Sequence, residues 1–209
     1  MQAELEALAG ELWATWDAAE TKLDEPEKKY MAKQSFDEAT GIGCTMIKWQ
    51  CDGLTEEQWA RWHADPLAIA ATLNARMTYE DLPEDEGHRV SHQKMNMPLV
   101  LSNRSIITTF YRPECADGYQ CLMHSSRGND EIAAANAEKI GSDVIANNHI
   151  VHVTWKAYEG GMEINMVQKM DLAGSIPTMI VNKMSGRLAN ALQLLVDYLQ
   201  NGTVPEPLF

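Results

Sequence analysis

The sequence predicts an α+β domain in which an antiparallel sheet is curved around a long C-terminal helix. Three observations carry this. From residue 88 to 171 the hydrophobic period is two, over segments 89–97, 104–112, 119–126, 150–158 and 162–171, as in half-buried strands. Asp117-Gly118 and Gly160-Gly161 are tight-turn pairs that make hairpins of the second segment with the third and of the fourth with the fifth. Beyond them Ile176, Ile180, Met184, Leu188, Leu192, Leu195 and Leu199 form one apolar stripe at helical spacing, and Asn201-Gly202 ends it.

The remaining elements follow in order. Leu5, Leu8, Leu12 and Trp16 predict an opening helix over 3–23 that stops near Pro26. Segments 30–36 and 45–51 read as strands. Thr55 with Gln58 is a capping-box pattern opening a helix that carries Trp59 and Trp62, and Asp65-Pro66 restarts a second short helix through Asn74. The run 79–87, with Glu80, Asp81, Glu84, Asp85 and Glu86 around Pro83, predicts a solvated loop. The alanine-rich stretch 130–140 predicts a helical turn or two between the hairpins. A sheet curled about one terminal helix cannot fill its concave side with a flat layer of side chains, and can close on itself or enclose a cavity.

Composition narrows the function. With 209 residues, 45% of them hydrophobic, the chain suits one core, so residues 1–209 are expected to form a single domain. A net charge of −13 argues against nucleic acid as a partner, which needs clustered Lys and Arg. The four cysteines show no C-x-x-C pair. Residues 1–16 carry acids and no base, unlike a signal or transit peptide, and no apolar run approaches a membrane span, so a soluble, cytoplasmic protein is expected. His149 and His152 lie three apart on a predicted strand and so point to opposite faces. His88 and His92 share a face but lie roughly 13 Å apart at strand rise. No G-x-S-x-G elbow occurs. No metal, no cofactor and no catalytic residue is expected.

The segment Asp171-Leu172-Ala173-Gly174-Ser175-Ile176-Pro177, followed by Met179-Ile180-Val181-Asn182, resembles the junction of last strand and terminal helix in START (steroidogenic acute regulatory-related lipid transfer) domains. Leu101-Ser102-Asn103-Arg104, before Ser105-Ile106-Ile107, resembles the family's apolar-x-x-Arg-Asp-apolar stretch, with Ser105 in place of the Asp. The resemblance spans roughly 29–200. It implies the helix-grip fold, with the helix over 176–201 as a lid above a lipid-sized cavity. Sterol-binding members tend to carry an acid where Gln93 stands, paired with an Arg where Phe110 falls. Loss of that pair argues against a sterol and leaves a lipid in general.

Methionine supplies the candidate site. There are twelve, several on single strand faces, and flexible thioethers suit a pocket for an irregular apolar chain. Phase on each element predicts a cavity lined by Gln93, Met95, Phe110, Met123, Val153, Trp155, Ile164, Met166, Ile180 and Met184. The stretch 172–196 lacks any acidic residue, and Lys183 and Arg187 lie four apart on it, which predicts a membrane-docking face. The function expected is non-catalytic binding, and intermembrane transfer, of a hydrophobic ligand. The alternatives are a cyclase- or aromatase-like enzyme acting on an aromatic or polyketide-like substrate, and an interaction module with a collapsed cavity.

Overall fold

The computed structural model describes residues 1–37, 42–98, 101–174, 176–204 and 206. Its elements in chain order are α1 (Gln2–Ala14), β1 (Glu20–Glu25), β2 (Tyr30–Asp37), β3 (Ile42–Asp52), α2 (Glu56–Ala64), α3 (Pro66–Leu73), β4 (Met77–Asp85), β5 (His88–Met95) and β6 (Arg104–Tyr111). Then follow β7 (Gln120–Ser125), α4 (Asp130–Ala135), α5 (Ala137–Ile140), β8 (Val144–Ile145), β9 (Asn147–Tyr158), β10 (Gly161–Asp171), α6 (Thr178–Ala189) and α7 (Ala191–Asn201).

The strands form one open sheet in the order β1-β2-β3-β10-β9-β7-β6-β5-β4, antiparallel throughout except for short β8, which runs parallel to β6. Strand alternation divides the buried side chains between two faces. On one, α1 covers a core of Leu5, Ala9, Met46, Met123, Ile150 and Val167. On the other, Trp59 and Trp62 of α2, with α3 and α7, cover Val153, Trp155, Ile164 and Met166. A third, small cluster of Leu82, Val90, Ile107 and Ile140 lies near the β4 edge, with Ile132 and Ala133 of α4 against it.

Local chemistry explains most boundaries. The Thr55 side chain accepts from the Gln58 backbone N–H while the Gln58 side chain accepts from that of Thr55, a complete capping box. Asp65 caps α3 by accepting from Ala68 N–H at 3.2 Å. Gly161 starts β10 because no other residue fits: a Cβ there would lie 2.2 Å from the Cys51 carbonyl oxygen.

Three expectations are corrected. The opening helix ends at Ala14, not 23; a 3₁₀ turn follows (Trp16–Ala18), and Glu20–Glu25 pairs with β2 as an edge strand. The acidic run 79–87 lies mostly in β4, whose charges face solvent while Leu82 is buried. Pro83 is tolerated because β4 is at the sheet edge. The terminal helix is two helices broken at Asn190, where the backbone leaves helical geometry (φ −100°, ψ 6°). Tyr30 Oη donates to the Ala189 carbonyl at 2.6 Å and the Asn190 side chain donates to the Gly186 carbonyl at 2.9 Å, so side chains hold carbonyls at the end of α6.

Candidate functional site

Between the sheet and the helices α3, α6 and α7 lies a pocket of about 320 Å³, at the low end of small-molecule sites. The helices contribute Leu67, Ile69 and Leu73 from α3, Met184 and Leu188 from α6, and Leu192 and Leu195 from α7. The sheet contributes Gln93 and Met95 from β5, Ile106 from β6, His124 from β7, Asn148, Val151 and Val153 from β9, and Met166, Gln168 and Met170 from β10. Met77 of β4 makes five methionines in the wall. At one end Trp59, Trp62 and Trp155 pack edge to face and tilted, with centroids 4.7–6.0 Å apart, and Trp62 reaches the pocket itself.

Of the residues singled out by phase, Gln93, Met95, Val153, Met166 and Met184 meet around this space. Phe110, Trp155 and Ile164 lie on the same sheet face but are packed into its core rather than the pocket wall. Ile180 is buried yet does not reach the pocket. Met123 is corrected outright: it sits on the opposite face, beneath α1. A two-residue turn at Asp117-Gly118 would pair Tyr111 with His124. The 3₁₀ turn Ala116–Gly118 instead pairs Tyr111 with Met123 and Phe110 with His124. That one-residue shift exchanges the two faces of β7, and His124 takes the inward position.

Asn148 reaches the wall through a second irregularity. Lys169 pairs with Ile150 but Met170 with Asn148, so His149 is an extra residue in β9, a bulge that re-aims what precedes it. The Asn148 backbone is pinned: its N–H donates to Ser126 Oγ at 2.7 Å and its carbonyl accepts from Ser126 N–H at 2.8 Å.

Polar side chains interrupt the apolar wall at Gln93, His124, Asn148, Gln168 and Arg187, among others. Gln93 Nε2 donates to Thr108 Oγ1 at 2.5 Å. Asn148 Nδ2 lies 2.9 Å from His124 Nδ1. Burial pushes His124 down from its ordinary value to about 4, so the ring is neutral at physiological pH. The ring stacks on Phe110, with centroids 4.9 Å apart. Lys183 is exposed on α6. Arg187 points elsewhere than a free outer face: its guanidinium donates to the carbonyls of Leu73 (2.8 Å) and Glu206 (2.9 Å) and borders the pocket.

At the start of α6 the turn is clamped. Arg104, 2% exposed, donates to the Leu172 and Ala173 carbonyls at 2.9 Å each and to that of Ser102. Ala173 and Gly174 both have positive φ. The Arg104 stretch and the 171–177 segment, far apart in sequence, are therefore two halves of one joint.

Away from the pocket, Glu80, His92 and Ser105 form a chain that superficially resembles a nucleophilic triad, with His92 3.2 Å from Glu80 Oε1 and 3.0 Å from Ser105 Oγ. Ser105 is fully buried and its hydroxyl donates to Asp143 at 2.9 Å, so its proton is not offered to His92. With Lys94–Asp143 and Lys139–Glu80 ion pairs at 3.0 and 2.9 Å, the network ties 139–143 to the sheet edge. Among the described residues no group of three His, Cys, Asp or Glu could hold a metal ion, and no helix is long and apolar enough to cross a membrane.

An open antiparallel sheet with C-terminal helices across one face is the helix-grip fold, here in the form found in START domains. Human StAR-related lipid transfer protein 5 is similar over 95% of each chain, with a TM-score of 0.67 and 15% identity. Human STARD10 has a TM-score of 0.67 and 14% identity over 87% of this chain and 72% of its own. A STAR-related lipid transfer protein from Xanthomonas axonopodis has a TM-score of 0.60 and 13% identity over 88% and 99%. At such identities the likeness is one of fold. No protein-family model matches the sequence, and no curated protein matches it significantly.

Proposed function

We propose that the protein binds one hydrophobic molecule, a lipid, in the pocket beneath α3, α6 and α7, and carries it between membranes without chemical change. The observation that carries this reading is the pocket: about 320 Å³, its wall mainly apolar, with five methionines beside aliphatic side chains and with Gln93, Gln168, Arg76, Lys94 and Arg187 among its polar members. Apolar surface taken from water contributes about 25 cal/mol/Å², so a ligand needs no charged contact to be held. The volume suits a single-chain or small rigid lipid. Two of the similar proteins, the human StAR-related lipid transfer protein 5 and the one from Xanthomonas axonopodis, are lipid transfer proteins by name, which supports this reading.

Release then requires α6 to move on its joint. The Arg104 clamp and the positive-φ pair Ala173-Gly174 support a pivot there, since sparsely populated backbone conformations cluster at ligand clamps and switch regions. Contact with an anionic membrane falls to Lys183, exposed on an acid-free stretch, while Arg187 serves mainly to tie α6 to α3.

Native mass spectrometry of protein made in eukaryotic cells tests the reading. The expected spectrum holds a second series heavier by one apolar lipid, lost when Ala191, in the pocket wall, is replaced by Trp. A spectrum of bare protein, with no uptake from offered vesicles, removes the lipid reading in favour of a collapsed interaction module.

A further inference from the structure

Among the described residues, the buried side-chain polar atoms without a hydrogen-bond partner are Trp59 Nε1, Asn148 Oδ1, His149 Nε2 and His152 Nδ1. Asn148 alone of these four residues borders the pocket. It is 1% exposed, and an orphaned buried acceptor costs far more than a solvated one. A bulge and four hydrogen bonds to its own backbone hold Asn148 at this point of the wall, beside the apolar Val151, Val153 and Met170.

The orientation of the amide follows from its neighbours. Nδ2 lies 2.9 Å from His124 Nδ1 and 3.5 Å from the His124 carbonyl oxygen. A flipped amide would set oxygen against that carbonyl, so Nδ2 faces His124 and Oδ1 is the free acceptor. The amide nitrogen can only donate, so Nδ1 of the neutral ring accepts. The ring proton is therefore on Nε2. His124 borders the same pocket and retains some accessible surface.

We propose that Asn148 and His124 form a hydroxyl-recognition site, in which the ligand's hydroxyl donates to Asn148 Oδ1 beside the Nε2–H donor of His124. This rests on the pocket being the lipid site, and it names the ligand class: an apolar body ending in an alcohol. An ether cannot donate to Oδ1. A carboxylate brings negative charge to a carbonyl-type oxygen and an uncharged imidazole, so it loses its hydration without gaining a counter-charge there.

The test is displacement of a neutral dye, N-phenylnaphthylamine, at neutral pH by three probes: dodecanol, its isomer methyl undecyl ether, and dodecanoate. On the wild-type protein dodecanol is expected to bind about tenfold more tightly than the ether, the size of one hydrogen bond to an otherwise orphaned buried acceptor. In Asn148→Leu the two should come within about twofold. If that variant does not fold, the wild-type alcohol-to-ether ratio decides alone. Equal binding of alcohol and ether overturns the hydroxyl site and leaves the lipid pocket standing, because both probes still bind. Tightest binding of dodecanoate overturns it too, and directs attention to Lys94, Arg76 and Arg187 in the wall. If neither dye nor probes bind, the lipid pocket itself is wrong and the hydroxyl site falls with it.

Discussion

The two faces of the sheet are built from similar residues and end differently. Under α1, Leu5, Met46, Met123, Ile150 and Val167 are each fully buried and fill their space. Under α3, α6 and α7, Met95, Met166, Met170 and Met184 border a pocket of about 320 Å³ together with Gln93, His124, Asn148 and Gln168. The helix geometry makes the difference. A single helix, α1, lies close on strands β9 and β10. Opposite it, α6 contacts β1 to β3 while α7 contacts α2 and α3, so the covering chain bends at Asn190 and leaves room over β5 to β10. Hydrophobicity alone does not distinguish a core from a binding site; the distance at which the covering element is held does.

Paired truncations give the largest expected contrast. Met123→Ala removes a fully packed side chain and should cost about 2–5 kcal/mol. Met166→Ala, beside an existing space, loses fewer contacts and should cost about 1–2 kcal/mol. Urea midpoints at unchanged slope measure both. Equal costs would mean that the pocket face is as tightly packed as the other.

Acid should weaken the pocket face through His124. In the unfolded chain this imidazole takes up its proton near 6.5, whereas in the folded protein it does so only near 4. Between those values the unfolded state binds more protons, so stability is fully present above about pH 6.5 and declines as pH falls toward 4, by roughly 3 kcal/mol. His63, His149 and His152 are also shifted down by burial and add slope of the same sign. His124→Phe, which keeps an aromatic ring beside Phe110, should flatten its own share of the curve. Parallel curves for variant and wild type between pH 4 and 6.5 would rule out the buried neutral ring.

Filling substitutions reverse the truncation test. Ala9→Phe has nowhere to go and should cost about 1–3 kcal/mol, whereas Ala191→Phe enters the pocket, should change stability by less than about 1 kcal/mol, and should abolish dye binding. Thermal melts with and without dye measure both, and retained binding in Ala191→Phe counts against the pocket.

The smallest effect belongs to the outer surface of α6. Lys183→Glu should slow lipid delivery to anionic vesicles by a few fold at low salt, since one basic residue near such a surface contributes about 1 kcal/mol, and the difference should vanish at high salt. Unchanged delivery at low salt would move the docking surface elsewhere.

Much of the fold was readable in the residues, because strand alternation, the capping box at Thr55 and the apolar stripe from Ile176 to Leu199 are local patterns set by local geometry. The candidate wall was readable only in part. Gln93, Met95, Val153, Met166 and Met184 follow from phase on unbroken segments, whereas phase alone puts Met123 where His124 stands, because one residue of turn geometry inverts a strand. Asn148 was invisible for the same kind of reason: the bulge at His149 resets the alternation, and no pattern within 147–158 marks it.

The sequence by itself thus determined most of the strands and helices, though not β1 or β4, and through Arg104 and 171–177 both halves of the joint before α6. It did not determine that those halves meet, that residues 20–25 join the sheet as an edge strand, or that the terminal helix breaks at Asn190, because each depends on a partner distant in the chain: β2 for the edge strand, Tyr30 for the end of α6, the Leu172 and Ala173 carbonyls for Arg104. The pocket belongs wholly to this second group. A space is defined by the separation of elements, and only the assembled tertiary structure sets how far α6 and α7 stand from the sheet.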